Sequence, residues 1–400
     1  MIIKSKHIFT EGGEFDGYIT VESGKVASIS AETTETDNVL DYSDYRVIPG
    51  IIDVHNHGFG GWSMTDPADE NIVEGYLKAL TSIGVTGVLP TAKIEAFDAI
   101  ATVSERELVG AKVLGIHSEG PFWARGGENT IGMTWPKPDV ETVKEYIKAA
   151  KGKLKVMAIA PELENAYDVI RYLHQNKIKV ACCHTAAHSE EIHKAKREVN
   201  FEIVTHLGNG MRGMHHRDVG VLGAVLLENN LYYEIITDLN HICPEMLQIY
   251  FKLQPYDKFC LISDSNFIAG LETGTYMRYG REMYANEKGL ILNSDGRICG
   301  SGRWVLSNMR QLENVVQVPF EDIVKMASLI PAKYLNIDDK KGSIAVGKDA
   351  DIVVIDDNFK CKKTFVEGKL LYDNDVTEQK RLFNPEAIKL RISDKTTIDK

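Results

Sequence analysis

The sequence predicts an α/β protein, a (β/α)8 or TIM barrel that carries a small β-sandwich domain assembled from its two ends. Three observations predict it. Between Val47 and Asp264 lie eight short apolar runs rich in β-branched residues, separated by segments of helical periodicity. The residues suited to metal binding or proton transfer fall at the ends of those runs, the face that carries chemistry in barrel enzymes. The flanking segments alternate polar and apolar in the β manner, and neither is long enough to build a core alone. A chain of 400 residues accommodates one such barrel with an appendage.

In chain order, residues 17–29 read as a hairpin of the small domain. The barrel runs follow at 51–54, 85–89, 112–116, 154–159, 178–183, 201–205, 233–237 and 259–263. Helices are expected over 71–83, 140–150, 162–175 and Ser189–Glu198, the last with Ser189-Glu190-Glu191 as cap and acidic first turn. A glycine-rich excursion over 265–304 should hold a hairpin near the mouth of the barrel. The run from Gly342 to Ile355 returns to strand pattern, so the small domain is expected to comprise 1–49 with 342–400, and the barrel 50–341.

Apolar residues make up 44% and charged residues 26%, as in ordinary globular chains. A net charge of −11 without a long basic run argues against a nucleic-acid partner. Met1-Ile2-Ile3-Lys4-Ser5-Lys6 lacks a signal-type apolar region, and no segment approaches the roughly 18 apolar residues of a membrane span. A cytoplasmic protein without a membrane partner is expected. The 6 cysteines show no CxxC spacing, and Cys182, Cys183 and Cys260 lie in apolar runs, which suggests buried free thiols.

His55-Asn56-His57 places two imidazoles at positions i and i+2 of a strand end, where both can face one ion. Glu119, His184 and His206, at the ends of separate strands, make a carboxylate and two imidazoles, a three-ligand set with open positions. His55 and His57 could complete a second site with Glu119 as bridge, since paired ions sit about 3.5–4 Å apart in two-metal hydrolases. The cofactor is thus one or two divalent ions, zinc or iron. Asp264 is the candidate general base and then acid; the alternative for Asp264-Ser265-Asn266 is a helix cap. His7, His174, His188 and His193 fall elsewhere and read as structural or surface residues.

These motifs resemble the amidohydrolase superfamily, and within it the N-acetylglucosamine-6-phosphate deacetylases. The likeness rests on Pro49-Gly50-Ile51-Ile52-Asp53-Val54-His55-Asn56-His57-Gly58, His117-Ser118-Glu119-Gly120-Pro121-Phe122, Thr205-His206-Leu207-Gly208-Asn209-Gly210-Met211, Ser263-Asp264, Gly300-Ser301-Gly302 and Lys341-Gly342-Ser343-Ile344. The resemblance implies a metal-dependent deacetylase of an amino-sugar phosphate, acting as a homodimer. It further implies that Asn209 and Gly210 hydrogen-bond the substrate, Arg217 pairs with a phosphate, and His241 contacts the sugar or its phosphate. The plainer alternatives are an Arg217–Asp218 surface ion pair and a helix-start role for His241 before Pro244.

Three features depart from the family pattern: the segment of Gly208 and Gly210, Leu239, and the loop after Phe122. Gly208 and Gly210 replace an aromatic residue and an alanine, and Leu239 replaces a glycine in Asp238-Leu239-Asn240-His241. The loop Trp123 to Thr130 has no histidine where the family carries one, with Arg125 as a substitute anion contact and Trp62, Trp123 and Trp135 as apolar walls or packing residues. No lysine stands at the end of run four, which reads Ala160-Pro161-Glu162. Another N-acyl amino sugar, galactosamine-type or unphosphorylated, another amide or cyclic amide, and a non-catalytic sugar-phosphate sensor are the competing readings.

Overall fold

In the computed structural model, which describes residues 1–34, 38–126 and 134–396, eight parallel strands follow one another around a barrel in chain order. They are Ile51–Asn56, Val85–Pro90, Ile116–Phe122, Leu154–Ile159, Lys179–Cys182, Ile203–Val204, Tyr232–Ile236 and Phe259–Ile262. A parallel bridge between Thr91 and His117 joins strands two and three. The ring closes where Asp264 N–H donates to the His55 carbonyl (3.0 Å) and His57 N–H to that of Ser265 (3.2 Å). These strands are buried almost throughout, which is why they read as continuous apolar runs. Among the helices that cover them are Glu70–Thr81, Val140–Ala149, Ala166–Gln175 and Ser189–Glu198.

The third strand differs from the expected run 112–116. Lys112–Val113 is a short strand beside strand two, and barrel strand three begins at Ile116 and carries His117 and Glu119 within it. A Cβ on Gly115 would lie 2.2 Å from Lys155 Cγ, so the chain passes here only as glycine. The helix Ser189–Glu198 has the expected bounds, but its cap is His188 rather than Ser189; Glu191 Oε2 accepts the His188 N–H at 2.8 Å.

The small sheet contains strands from both ends of the chain, with Arg46–Pro49 antiparallel to Ile352–Ile355. Alternation along 352–355 divides the burial: Ile352 and Val354 join the small-sheet core with Ile3, Ile19 and Val47, while Val353 and Ile355 join the barrel core. The excursion after strand eight forms the meander Gly274–Arg278, Arg281–Ala285, Leu290–Asn293 and Ile298–Ser301. Arg391–Ser393, from the C-terminal segment, adds to this meander rather than to the small sheet. Among the described residues, no helix is long and apolar enough to cross a membrane.

Candidate active site and metal centre

The carboxyl ends of the barrel strands bring His55, His57, Glu119, His184, His206 and Asp264 together. Glu119 is central: its Oε1 lies 3.0 Å from His184 Nε2 and 2.9 Å from His206 Nε2, while its Oε2 lies 3.1 Å from His57 Nε2 and 3.8 Å from His55 Nε2. Asp264 Oδ1 faces the same two rings at 3.3 and 3.6 Å. His55 and His57 approach each other at 3.3 Å between Nε2 atoms. This donor set fits a metal. Edges near 3 Å are close to the roughly 3.3 Å separation expected of ligands about 2.0–2.1 Å from one ion, and the Glu119, His184, His206 atoms and the His55, His57, Glu119 atoms form compact groups.

Local backbone aims these side chains. His184, His206 and Asp264 all have left-handed backbones, with φ of 44°, 33° and 45°. L-residues adopt that region at a cost of about 1–2 kcal/mol, so the surrounding structure must impose it, as is typical of functional sites. The turn at Asp264 also removes the helix-cap reading, since no helix starts there. Ser301 N–H holds the Asp264 carbonyl at 2.9 Å, which gives the Gly300-Ser301-Gly302 turn a positioning task. Asn56, between the two histidines, ties strand one to strand eight by donating to Asp53 and to Ser263 Oγ, both at 3.0 Å.

The electrostatics follow from this crowding. Burial would raise the Asp264 carboxyl, but the charge of His55 and the hydrogen bond from His57 hold it down to about 2. Burial opposes protonation of His57, yet Asp264 and Glu119 raise it to about 9. Glu119, buried beneath four rings, is held well below the usual carboxylate range by His184, His206, His55 and His57.

Three residues at the site, Glu234, His117 and Cys183, were not singled out as functional by sequence reasoning, and a fourth, Trp123, was expected only as an apolar wall or packing residue. Glu234, in the middle of strand seven, accepts from His55 Nδ1 at 3.0 Å and from Tyr334 OH at 2.8 Å, fixing the tautomer that turns His55 Nε2 inward. An acid inside the apolar run Tyr232–Ile236 was the available signal. His117 packs edge-on against His55 with ring centroids 4.6 Å apart, and burial holds its pKa down to about 4. Cys183 Sγ lies 3.5 Å from His206 Nε2. Trp123 stacks on His184 with ring centroids 4.0 Å apart.

The expected substrate residues are placed unevenly. Asn209 donates from Nδ2 to the His206 carbonyl at 3.2 Å. A Cβ on Gly210 would sit 2.6 Å from His184 Nδ1, and one on Gly208 2.6 Å from Tyr250 OH, which explains both glycines where a side chain was expected. His241 is bound through Nδ1 to Asp238 Oδ2 at 2.8 Å and also precedes the helix Pro244–Leu253. Arg217 is exposed, and among the described residues its side chain has no hydrogen bond or ion pair to the histidine–carboxylate cluster. It pairs with His216 Nε2 at 3.0 Å, whereas Asp218 pairs with His188, so the Arg217–Asp218 ion pair is not formed. Arg125 donates to the Met211 carbonyl at 3.2 Å, and its own carbonyl accepts from His184 Nδ1 at 3.1 Å. Part of the loop expected to lack the family histidine, 127–130, lies outside the described residues. Trp62 is a packing residue, bonded to the Leu382 carbonyl at 2.9 Å. Glu162 accepts from Thr185 Oγ1 at 2.7 Å and Ala186 N–H at 2.6 Å, which pins the turn after His184.

Residues 46–371 match the family model described as "Amidohydrolase family". The chain is 31% identical to N-acetylglucosamine-6-phosphate deacetylase of Vibrio furnissii, over 90% of this chain and 91% of that one. It is 30% identical to the enzyme of the same name from Bacillus subtilis, over 95% and 99%. Identity to N-acetylgalactosamine-6-phosphate deacetylase of Escherichia coli O157:H7 is 28%, over 92% and 98%. The crystal structure of N-acetylglucosamine-6-phosphate deacetylase from Pasteurella multocida shares the fold with a TM-score of 0.83, at 22% identity over 92% and 99% of the two chains. The chain therefore belongs to the amidohydrolase family, and its similarity within that family runs to the N-acetylglucosamine-6-phosphate deacetylases.

Proposed function

We propose that this protein is a metal-dependent hydrolase that removes acetate from N-acetylglucosamine 6-phosphate to leave glucosamine 6-phosphate. One observation carries the reading: Asp264 Oδ1 stands 3.3 and 3.6 Å from the two first-strand histidines, beside a carboxylate, Glu119, that reaches both histidine pairs. His55, His57, Glu119, His184 and His206 would hold one or two divalent ions, zinc or iron. When bound, the ion supplies Lewis acidity, which polarises a carbonyl and acidifies water. Asp264, ionised at neutral pH, takes a proton from the attacking water as its oxygen bonds to the acetamide carbon. It returns that proton to nitrogen as the C–N bond breaks, so acetate and a free amine leave.

Asn209, the Gly210 backbone and His241 Nε2 bind the sugar, and Arg217 binds the phosphate through its planar fork. Arg217 is exposed and makes no carboxylate ion pair among the described residues, which supports a reach toward a neighbouring subunit's site in a cytoplasmic homodimer. Similarity to an N-acetylgalactosamine-6-phosphate deacetylase favours one second reading, the galactosamine epimer. Acetate release from N-acetylglucosamine 6-phosphate, its galactosamine epimer and unphosphorylated N-acetylglucosamine tests both. Preference for a phosphate ester, lost with a raised KM in Arg217→Ala, is expected. No release from any of the three would remove the substrate assignment.

A further inference from the structure

We propose that Cys183 is a metal ligand, the fourth donor of the Glu119, His184, His206 site, bound as a thiolate. This rests on the metal reading above and adds a sulfur donor to it. Cys183 is fully buried, and its Sγ has hydrogen-bond contacts only with ligand atoms among the described residues, His206 Nε2 at 3.5 Å and Glu119 Oε1 at 3.9 Å. The four donor atoms Glu119 O, Cys183 Sγ, His184 N and His206 N form one compact group. With bonds of about 2.3 Å to sulfur and about 2.0–2.1 Å to nitrogen, the sulfur–nitrogen edge of a tetrahedron is about 3.5 Å. The Cys183–His206 separation matches that edge.

Adjacent residues of a strand normally face opposite sides. Here the left-handed backbone of His184 reverses the alternation just beyond strand five, so that Cys183 and His184 turn to the same point. Cys182, one residue earlier and equally buried, is not among the grouped donors. A fourth protein donor would close this site in the manner of structural centres. The open position would then fall to the set of His55, His57 and Glu119, the side on which Asp264 stands. A thiolate also biases the closed site toward softer ions such as zinc over magnesium or manganese.

Cobalt(II) provides the test, because a thiolate bound to it gives an intense near-ultraviolet charge-transfer band, separate from the weak visible bands of any bound cobalt. The full chain in a Cys243→Ser background, which removes the exposed thiol, is stripped with a chelator and titrated with cobalt. The parent and a Cys182→Ser control should gain the band with the first bound equivalent or two, and Cys183→Ser should lose at least nine-tenths of it while keeping visible cobalt bands. Bound cobalt without the charge-transfer band in the parent, or a band that survives Cys183→Ser, overturns the thiolate ligand alone. Failure of the parent to retain any cobalt sinks the metal reading and this proposal together. Zinc-edge X-ray absorption of the unsubstituted protein needs no variant to fold: a sulfur neighbour is expected, and a shell of only nitrogen and oxygen overturns the assignment.

Discussion

At the scale of single residues, the site is a problem of placing like-charged groups close together. Asp264 and Glu119 both face His57, and only the cationic or metal-bound form of the rings relieves their repulsion. Asp264→Asn keeps the volume and removes the proton acceptor, so acetate release should fall about 10²–10⁴-fold with metal content unchanged; a variant of near-native rate removes Asp264 from its role. The metal-free protein has a pH signature. His57 has a folded pKa of about 9, above the ordinary 6.5, so its protonated form contributes stability that is complete below pH 6.5 and is lost as pH rises through 9. The Tm of chelator-stripped protein should therefore decline across that window. The zinc-loaded protein should decline less, because a bound ion replaces the proton.

At the scale of elements, each strand end delivers its side chain by a turn that the chain tolerates only with help from neighbours. The segment after strand six is tight, since Gly210 passes where a methyl group would lie 2.6 Å from His184 Nδ1, with φ of 58°. Gly210→Ala should displace His184 and weaken metal affinity by about 10–100-fold, as loss of a supporting contact around a ligand does. Competition against a chromophoric chelator measures it, and unchanged affinity would show that the contact is slack. The third strand explains why element boundaries were only partly legible. His117-Ser118-Glu119-Gly120-Pro121 has little strand propensity, so local pattern placed the strand upstream, whereas pairing with Leu154–Ile159 makes it a strand.

At the scale of the whole molecule, the small sheet is bonded to the barrel from two directions. Ile352–Ile355 shares its side chains between the two cores, and Lys341 anchors the approach to it. Lys341 Nζ lies 2.9 Å from both Asp349 and Asp351, in a nearly dry setting, and burial, which would lower its pKa, is outweighed by the two carboxylates, which raise it. Lys341→Met leaves Asp351 buried without its cation and should destabilise the fold by about 3–5 kcal/mol, read as a lower denaturant midpoint with the m-value kept. An unchanged midpoint would mean that the small sheet is held by apolar packing alone.

The barrel class, its run-and-helix alternation and the residues of the histidine–carboxylate cluster could be read from the sequence alone, because apolar periodicity and motif spacing are local properties of the chain. The meeting of Glu119 with both histidine pairs, the inward turn of Cys183, the Glu234 support behind His55 and the restriction at Gly210 were decided only by tertiary structure. Barrel closure brings residues 55, 119, 184, 206, 234 and 264 to one point, and their separations across space are not encoded in any local window of the sequence.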